Sequence, residues 1–227
     1  MVGGEAAIQY KAGVADGRSA QKEATKSRIL EAARHHFERD GFAGASIRDI
    51  AEAAGVAAGT VLLHFADKAS LLHAALHDDL EEAIAGSLAA PSEGPLLRRL
   101  CGVVRPFYAY YEARPRLSKV LLRESLLAES PWKERFGEQA MRVAHHVAAL
   151  VEQARASGEL DPKVNPELMA TAFTSFYYFV LIGWVQQGIA APLPVFEALM
   201  AQQLAPYTAA SPAKPSAPAT TERRRRK

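Results

Sequence analysis

The residues whose types and spacing can do chemistry gather between Ser46 and Phe65. Ser46-Ile47-Arg48-Asp49 has the form of a capping box, in which the serine hydroxyl and the Asp49 carboxylate each satisfy an orphan N–H at the start of a helix. Ala51 and Ala54 are small enough to let a second helix approach closely, and Gly55 permits a sharp turn. Val56 and Val61 fill the space beneath. Two short helices joined in this way make a helix-turn-helix, whose second helix enters the major groove of DNA with its early residues towards the base edges. That chemistry is recognition of a duplex, not bond-making. On spacing alone, an ordinary helical hairpin turning at a glycine fits as well.

Other constellations are weaker. His73 and His77 lie four apart, a spacing that can place two metal ligands on one helix face. No acid or cysteine completes the set, so packed or solvated histidines are expected instead. His35-His36 and His145-His146 are adjacent pairs that diverge on a helix. No nucleophile–base set, paired carboxylates or phosphate loop is evident, so neither an enzyme nor a cofactor is expected. The second half holds many aromatic residues on three segments: Phe107 to Tyr111, Trp132 with Phe136, and Phe173 to Trp184. These suit a core, a subunit interface or an apolar ligand cavity between helices.

The elements that must position these residues are helical. Ile29, Ala33, His36 and Phe37 share one face of a helix from about Lys22 to Arg39, closed by Gly41. A second helix starts at Ser46 and stops at Gly55, and a third covers about Ala57–His64. Asp67 caps a long fourth helix ending near Gly86. Further helices are expected near Leu96–Glu112, Arg116–Ala128, Trp132–Ser157, Pro166–Gln187 and Pro192–Leu204, each bounded by proline or glycine. The fold class is therefore all-α, with about nine helices and no alternating strand. Residues 1–20, with four scattered glycines and no period, read as a flexible arm. Residues 208–227 read as a disordered, low-complexity basic tail.

Charge is unevenly placed. Residues 208–227 carry six basic side chains and one acid, a net of +5, so the rest of the chain carries −3 within a total of +2. A mildly acidic body does not bind nucleic acid indiscriminately, and any DNA affinity must come from a local surface. The single cysteine, Cys101, fits a reducing compartment as a small core residue. No signal-peptide core opens the chain, and the most apolar stretch, Ala172–Val185, reads as too short and too mixed to span a membrane. A soluble cytoplasmic protein is expected.

The order and spacing of Ile29-Leu30-Glu31-Ala32-Ala33, Phe37, Gly41-Phe42 and Ser46 to Ala51 go further. With Ala54-Gly55-Val56, Gly59-Thr60-Val61, His64-Phe65, Asp67-Lys68 and Leu71-Leu72, they resemble the TetR family of transcriptional regulators over roughly residues 22–76. The resemblance implies a DNA-binding domain over 21–67 and a helical ligand-binding and dimerisation domain over 68–207. It also implies that Ser46 and Arg48 touch phosphate or reach towards the groove. Ala57, Ala58 and Thr60 lie on the exposed side of the recognition helix, Gly59 allows close backbone approach, and His64 and Lys68 hold phosphate oxygens. The chain departs from the family at Leu62, where an aromatic residue is common, and Leu63 follows it. Readout then leans on Arg48 and the N-terminal arm, where Arg18, Lys22 and Lys26 can follow the backbone or enter the minor groove.

The resemblance implies a small-molecule effector in the C-terminal half, with Tyr108, Tyr111, Phe173 and Tyr177 the candidate cavity residues. It also implies a homodimer through the last two helices, on the faces of Phe173, Tyr177, Val180, Leu181, Trp184 and Val185 and of Val195, Phe196, Leu199, Met200 and Gln203. Burial within one subunit is the competing explanation for those faces. The expected function is a repressor released from a palindromic operator by a largely apolar ligand. The alternative is a protein-interaction adaptor that has lost DNA binding.

Overall fold

Short helices such as the second and third cannot stand alone in water, because nucleation costs more than two turns return. They form here because neighbouring segments bury their apolar faces. The computed structural model describes residues 3–89 and 93–208. Among these residues the chain forms nine α-helices and no strand: α1 (Gly3–Gly44), α2 (Ile47–Ala53), α3 (Ala58–His64), α4 (Lys68–Leu88), α5 (Leu96–Glu112), α6 (Pro115–Leu126), α7 (Trp132–Ala156), α8 (Pro166–Val185) and α9 (Pro192–Leu204). A 3₁₀ turn, Ala205–Tyr207, follows, and Leu160 and Thr208 make one isolated β-bridge. The basic tail beyond Thr208 lies outside the described residues.

The all-α expectation holds, and most boundaries fall within two residues of those read from proline and glycine. The exception is α1, whose backbone is helical from Gly3, so residues 3–20 extend a helix where the scattered glycines suggest a flexible arm. Alanine, glutamate, glutamine and lysine between those glycines favour helix strongly enough to carry the turns through. At the other end Gly41, with φ 72° and ψ 169°, breaks the regular helix, as its left-handed conformation suits glycine.

Ile29, Ala33 and Phe37 of α1 pack with Ile50 and Ala51 of α2, Val61 of α3, and Leu71, Leu72, Ala75 and Leu76 of α4. The same apolar cluster continues without interruption into α5–α9, as far as Leu204. Cys101 is buried within it, and burial pushes its thiol up to about 11, so it stays protonated at neutral pH. The start of α5 has no side-chain cap of its own. Glu159, beyond α7, supplies one: it accepts from the Leu96 N–H and from Arg99 Nη2, the latter at 2.6 Å.

Helix α8 begins at Pro166, as expected, and runs 20 residues; among the described residues it is the one helix long and apolar enough by length and composition to cross a membrane. Its two sides do different work. Phe173, Val180 and Leu181 are buried inside the subunit, whereas Phe179 is 64% exposed and Leu168 and Ile182 also face outwards. Phe196 and Met200 of α9 are likewise buried within the subunit. The faces centred on Phe173, Val180 and Leu181, and on Phe196 and Met200, are therefore taken up by the subunit's own core.

Candidate DNA-reading surface and ligand cavity

The helix-turn-helix is fixed by backbone and core before any DNA is considered. The Asp49 N–H donates to Ser46 Oγ at 3.1 Å, one half of the reciprocal cap. That leaves the Ser46 O–H free to donate elsewhere. Gly55 sits at φ 66°, and the Val56 N–H returns to the Ala51 carbonyl at 3.0 Å, closing the turn. Ala57 caps α3 in extended conformation. Val61 and Phe65 anchor α3 inwards, with Ile50 and Ile47 of α2 beside them, Ile47 only partly buried. At 100° per residue, Gly59 and Leu63 lie opposite Val61 and Leu62 flanks them, while Ala58 opens the first turn of α3 on the Val61 side.

Ala58, Gly59, Leu62 and Leu63 are all exposed, Leu62 at 50% and Leu63 at 87%. The helix does not rotate to bury the two leucines, so its outer face is almost wholly apolar. Ala57 and Arg48 are exposed beside it, while Ser46, Thr60 and His64 are half-buried at its margins. Of the predicted residues, Arg48 is the long exposed cation. Sequence reasoning missed a second one. A Cβ on Gly55 would lie 3.7 Å from Arg28 Nη1, so this exposed guanidinium of α1 stands against the turn. Its proximity follows from tertiary packing, not spacing along the chain.

Lys68 is placed differently from its expected role. Its ammonium donates to the Ala45 carbonyl at 3.0 Å and lies 4.7 Å from the centre of the Phe42 ring. It pins the segment that enters α2 to the first turn of α4. Asp67 caps that turn, accepting from the Ser70 N–H at 2.6 Å, and this bond holds its carboxyl below the usual range. Along α1, Lys22 is exposed and Lys26 pairs with Glu23 at 3.1 Å.

From this surface α4 runs to an interhelical cavity of about 70 Å³ bounded by α4, α5, α7 and α8, with Ser125 of α6 at its edge. Leu80 and Ile84 of α4 form one wall. Three of the four predicted residues, Tyr111, Phe173 and Tyr177, line it. Tyr108 does not. It is buried against Phe196 and Tyr177, with ring centres 6.1 and 5.5 Å away, and its hydroxyl donates to the Tyr177 carbonyl at 3.4 Å. Its helical position, three residues before Tyr111, turns it into the α5–α9 contact. Burial pushes the Tyr111 and Tyr177 hydroxyls well above their ordinary value, so both remain protonated donors. Sequence reasoning missed Gln139, a polar residue on the buried face of α7, three residues after Phe136 and four before Val143.

Two polar clusters tie α4 to its neighbours. Asp79 accepts from Arg34 Nε of α1 at 2.5 Å and from the Tyr110 hydroxyl of α5 at 2.9 Å. Glu81 accepts from Gln139 Nε2 at 2.6 Å and also from Arg142, both on α7. The Arg142 guanidinium holds the Glu81 carboxyl below the usual range. His73 and His77 pack against Trp132 and Phe136, with His73 Nε2 3.3 Å from Glu124. The described residues contain no group of three side chains suited to a metal.

Residues 29–75 match the family model described as bacterial regulatory proteins, tetR family. The chain is 26% identical over 171 residues to the HTH-type transcriptional regulator UidR of Escherichia coli strain K12, covering 73% of this chain and 84% of that protein. It is 27% identical over 178 residues to the transcriptional repressor KstR of Mycolicibacterium smegmatis, covering 77% and 83%. In fold it is similar to the transcriptional regulator FadR of Bacillus subtilis, solved in complex with stearoyl-CoA, with a TM-score of 0.63, 16% identity, and coverage of 78% and 97%. The chain is a helix-turn-helix, DNA-binding transcriptional regulator whose residues 29–75 match the tetR family and which is similar over most of its length to regulators of that kind.

Proposed function

We propose that this regulator is a cytoplasmic homodimeric repressor, without enzymatic activity, that leaves a palindromic operator when a small, largely apolar molecule enters the α4–α5–α7–α8 cavity. The observation that carries the reading is α4 itself. One helix begins against the reading surface at Lys68 and forms the cavity wall at Leu80 and Ile84. Two recognition helices of a dimer must sit roughly 34–36 Å apart to enter successive major grooves. A ligand that prefers a different tilt of α4 disfavours that spacing, with a coupling typically about 1–3 kcal/mol. Repression relieved by the ligand follows from that sign.

Ser46, Arg48, Ala57, Ala58, Gly59, Thr60, His64 and Lys68 are the proposed DNA contacts, with Arg28 added. Arg48 is the proposed base or phosphate anchor, and Ala57, Ala58, Leu62 and Leu63 offer apolar contact to thymine methyl groups. Lys68 acts mainly by holding α2 in register. The proposed dimer face is the outward stripe of α8, Leu168, Ala172, Ser175, Phe179 and Ile182, whose spacing of four and three residues matches a helical seam.

Selection of bound DNA from a random pool tests the reading, and a two-fold symmetric site is expected. On that site Arg48→Ala weakens binding roughly 10- to 100-fold in a mobility-shift titration, with the melting temperature unchanged. The exposed Leu62 and Leu63 favour one second reading, a docking face for another protein. Failure to enrich any site, with Arg48→Ala indistinguishable from the parent protein, would turn the assignment to that reading.

A further inference from the structure

We propose that the cavity selects a neutral ligand with an apolar body and one hydrogen-bond donor, an alcohol or a phenol, and that Gln139 is the residue that reads the donor. The inference rests on the cavity being the effector site.

Gln139 is 4% exposed and lines the cavity, and its Oε1 has no hydrogen-bond partner. Its other branch is fully engaged: Nε2 donates to the His77 carbonyl at 2.9 Å and to Glu81 Oε1 at 2.6 Å. These two acceptors fix the orientation of the amide, because the flipped form would set Oε1 against a carbonyl and a carboxylate. The planar group thus turns its nitrogen to α4, and Oε1, on the opposite side of the amide, is the atom we assign to the ligand's donor. A buried acceptor left unpaired is unfavourable, and a ligand that donates to it removes that defect.

The remaining walls set the rest of the ligand. No residue lining the cavity carries a charge at neutral pH. A carboxylate or phosphate end would enter without a counter-ion, and Oε1, an acceptor, would repel it. Leu80, Ile84, Phe107, Phe136 and Phe173 supply apolar contact for a ring or a short chain. The neutral hydroxyl residues Tyr111, Ser125, Thr174, Tyr177 and Tyr178 also line the cavity. The amide that reads the donor is the same one that holds α4 at His77 and Glu81. Ligand chemistry therefore meets the lever at this side chain as well as at Leu80 and Ile84.

The test uses the full chain and four one-ring probes of similar size: phenol, its methyl ether anisole, toluene and benzoate. Calorimetric titration of the unaltered protein is expected to give phenol roughly tenfold tighter binding than anisole, with benzoate weakest. In Gln139→Met the phenol-to-toluene affinity ratio falls roughly tenfold, while toluene itself, which reports cavity shape, changes little. Phenol equal to anisole, benzoate equal to phenol, an unchanged ratio in the variant, or no binding of any probe overturns the inference. Operator retention is measured on the same unaltered sample. Retention with no hydroxyl preference sinks the ligand assignment alone, whereas absence of operator binding sinks the repressor reading instead.

Discussion

Phe179→Arg is expected to yield a monomer whose operator affinity is about a hundredfold or more below that of the unaltered protein. Phe179 is the largest exposed apolar side chain on α8, at the middle of a stripe that the subunit's own core leaves uncovered. In a two-fold interface a residue near the axis meets its own copy or the next turn. The substitution therefore removes an aromatic anchor and sets two guanidinium groups close together. A monomer can hold only one half-site, and the loss of the second, tethered binding event removes a factor on the order of 10²–10⁴. Sedimentation velocity gives the mass, and a mobility-shift titration gives the affinity. A variant that remains dimeric and keeps its operator would place the interface elsewhere. An unaltered protein that is monomeric and co-floats with phosphatidylcholine vesicles would reassign the stripe to lipid.

Asp79→Ala is expected to lower folding stability by about 2–4 kcal/mol and to blunt the response of DNA binding to ligand. Asp79 is the one acid that accepts from both Arg34 of α1 and the Tyr110 hydroxyl of α5. Its side chain is 11% exposed and that of Arg34 31%, so the pair is worth less than a fully buried one but more than a surface contact. The alanine variant leaves the Tyr110 hydroxyl buried without its acceptor, and burial already keeps that hydroxyl protonated. Tyr110→Phe is the milder companion at about 1 kcal/mol, since donor and hydration cost vanish together. Urea titration reads both. A loss below about 1 kcal/mol for Asp79→Ala would show that apolar packing alone joins α1, α4 and α5.

What the sequence made legible tracks how local the cause is. Gly55, the Ser46 cap and the period of Ile50, Val61 and Phe65 act within one turn of themselves, so the helix-turn-helix could be read directly. Proline at the starts of α6, α8 and α9 did the same for boundaries. Residues 3–20 misled because glycine is a weak breaker when strong helix formers surround it. Tyr108 and Tyr111 look alike on one helix, and only the crossing of α5 with α9 separates a core tyrosine from a cavity tyrosine. The same holds for α8, whose apolar residues cover both sides, so periodicity could not tell core from partner face. Gln139 falls on the apolar period of α7 with Phe136 and Val143, but its role, like that of Arg28, depends on a neighbour far away in the chain.

The outer face of α3 has a consequence for the kind of specificity this regulator can have. As the proposed reading face, Ala58, Leu62 and Leu63 present methyl groups where the common base contacts are amides or guanidinium forks. Methyl-to-methyl packing against thymine is insensitive to ionic strength, whereas the Arg48 contribution is not. Discrimination between operators therefore rises relative to total affinity as salt increases. Association through such a face also carries a negative heat-capacity change, so the preference for thymine-bearing sites weakens in the cold. A cytosine methylated at C5 displays the same group as thymine in the groove, so under the proposed contacts methylation of such an operator cytosine is expected to strengthen binding, which a mobility-shift comparison of methylated and unmethylated operator checks.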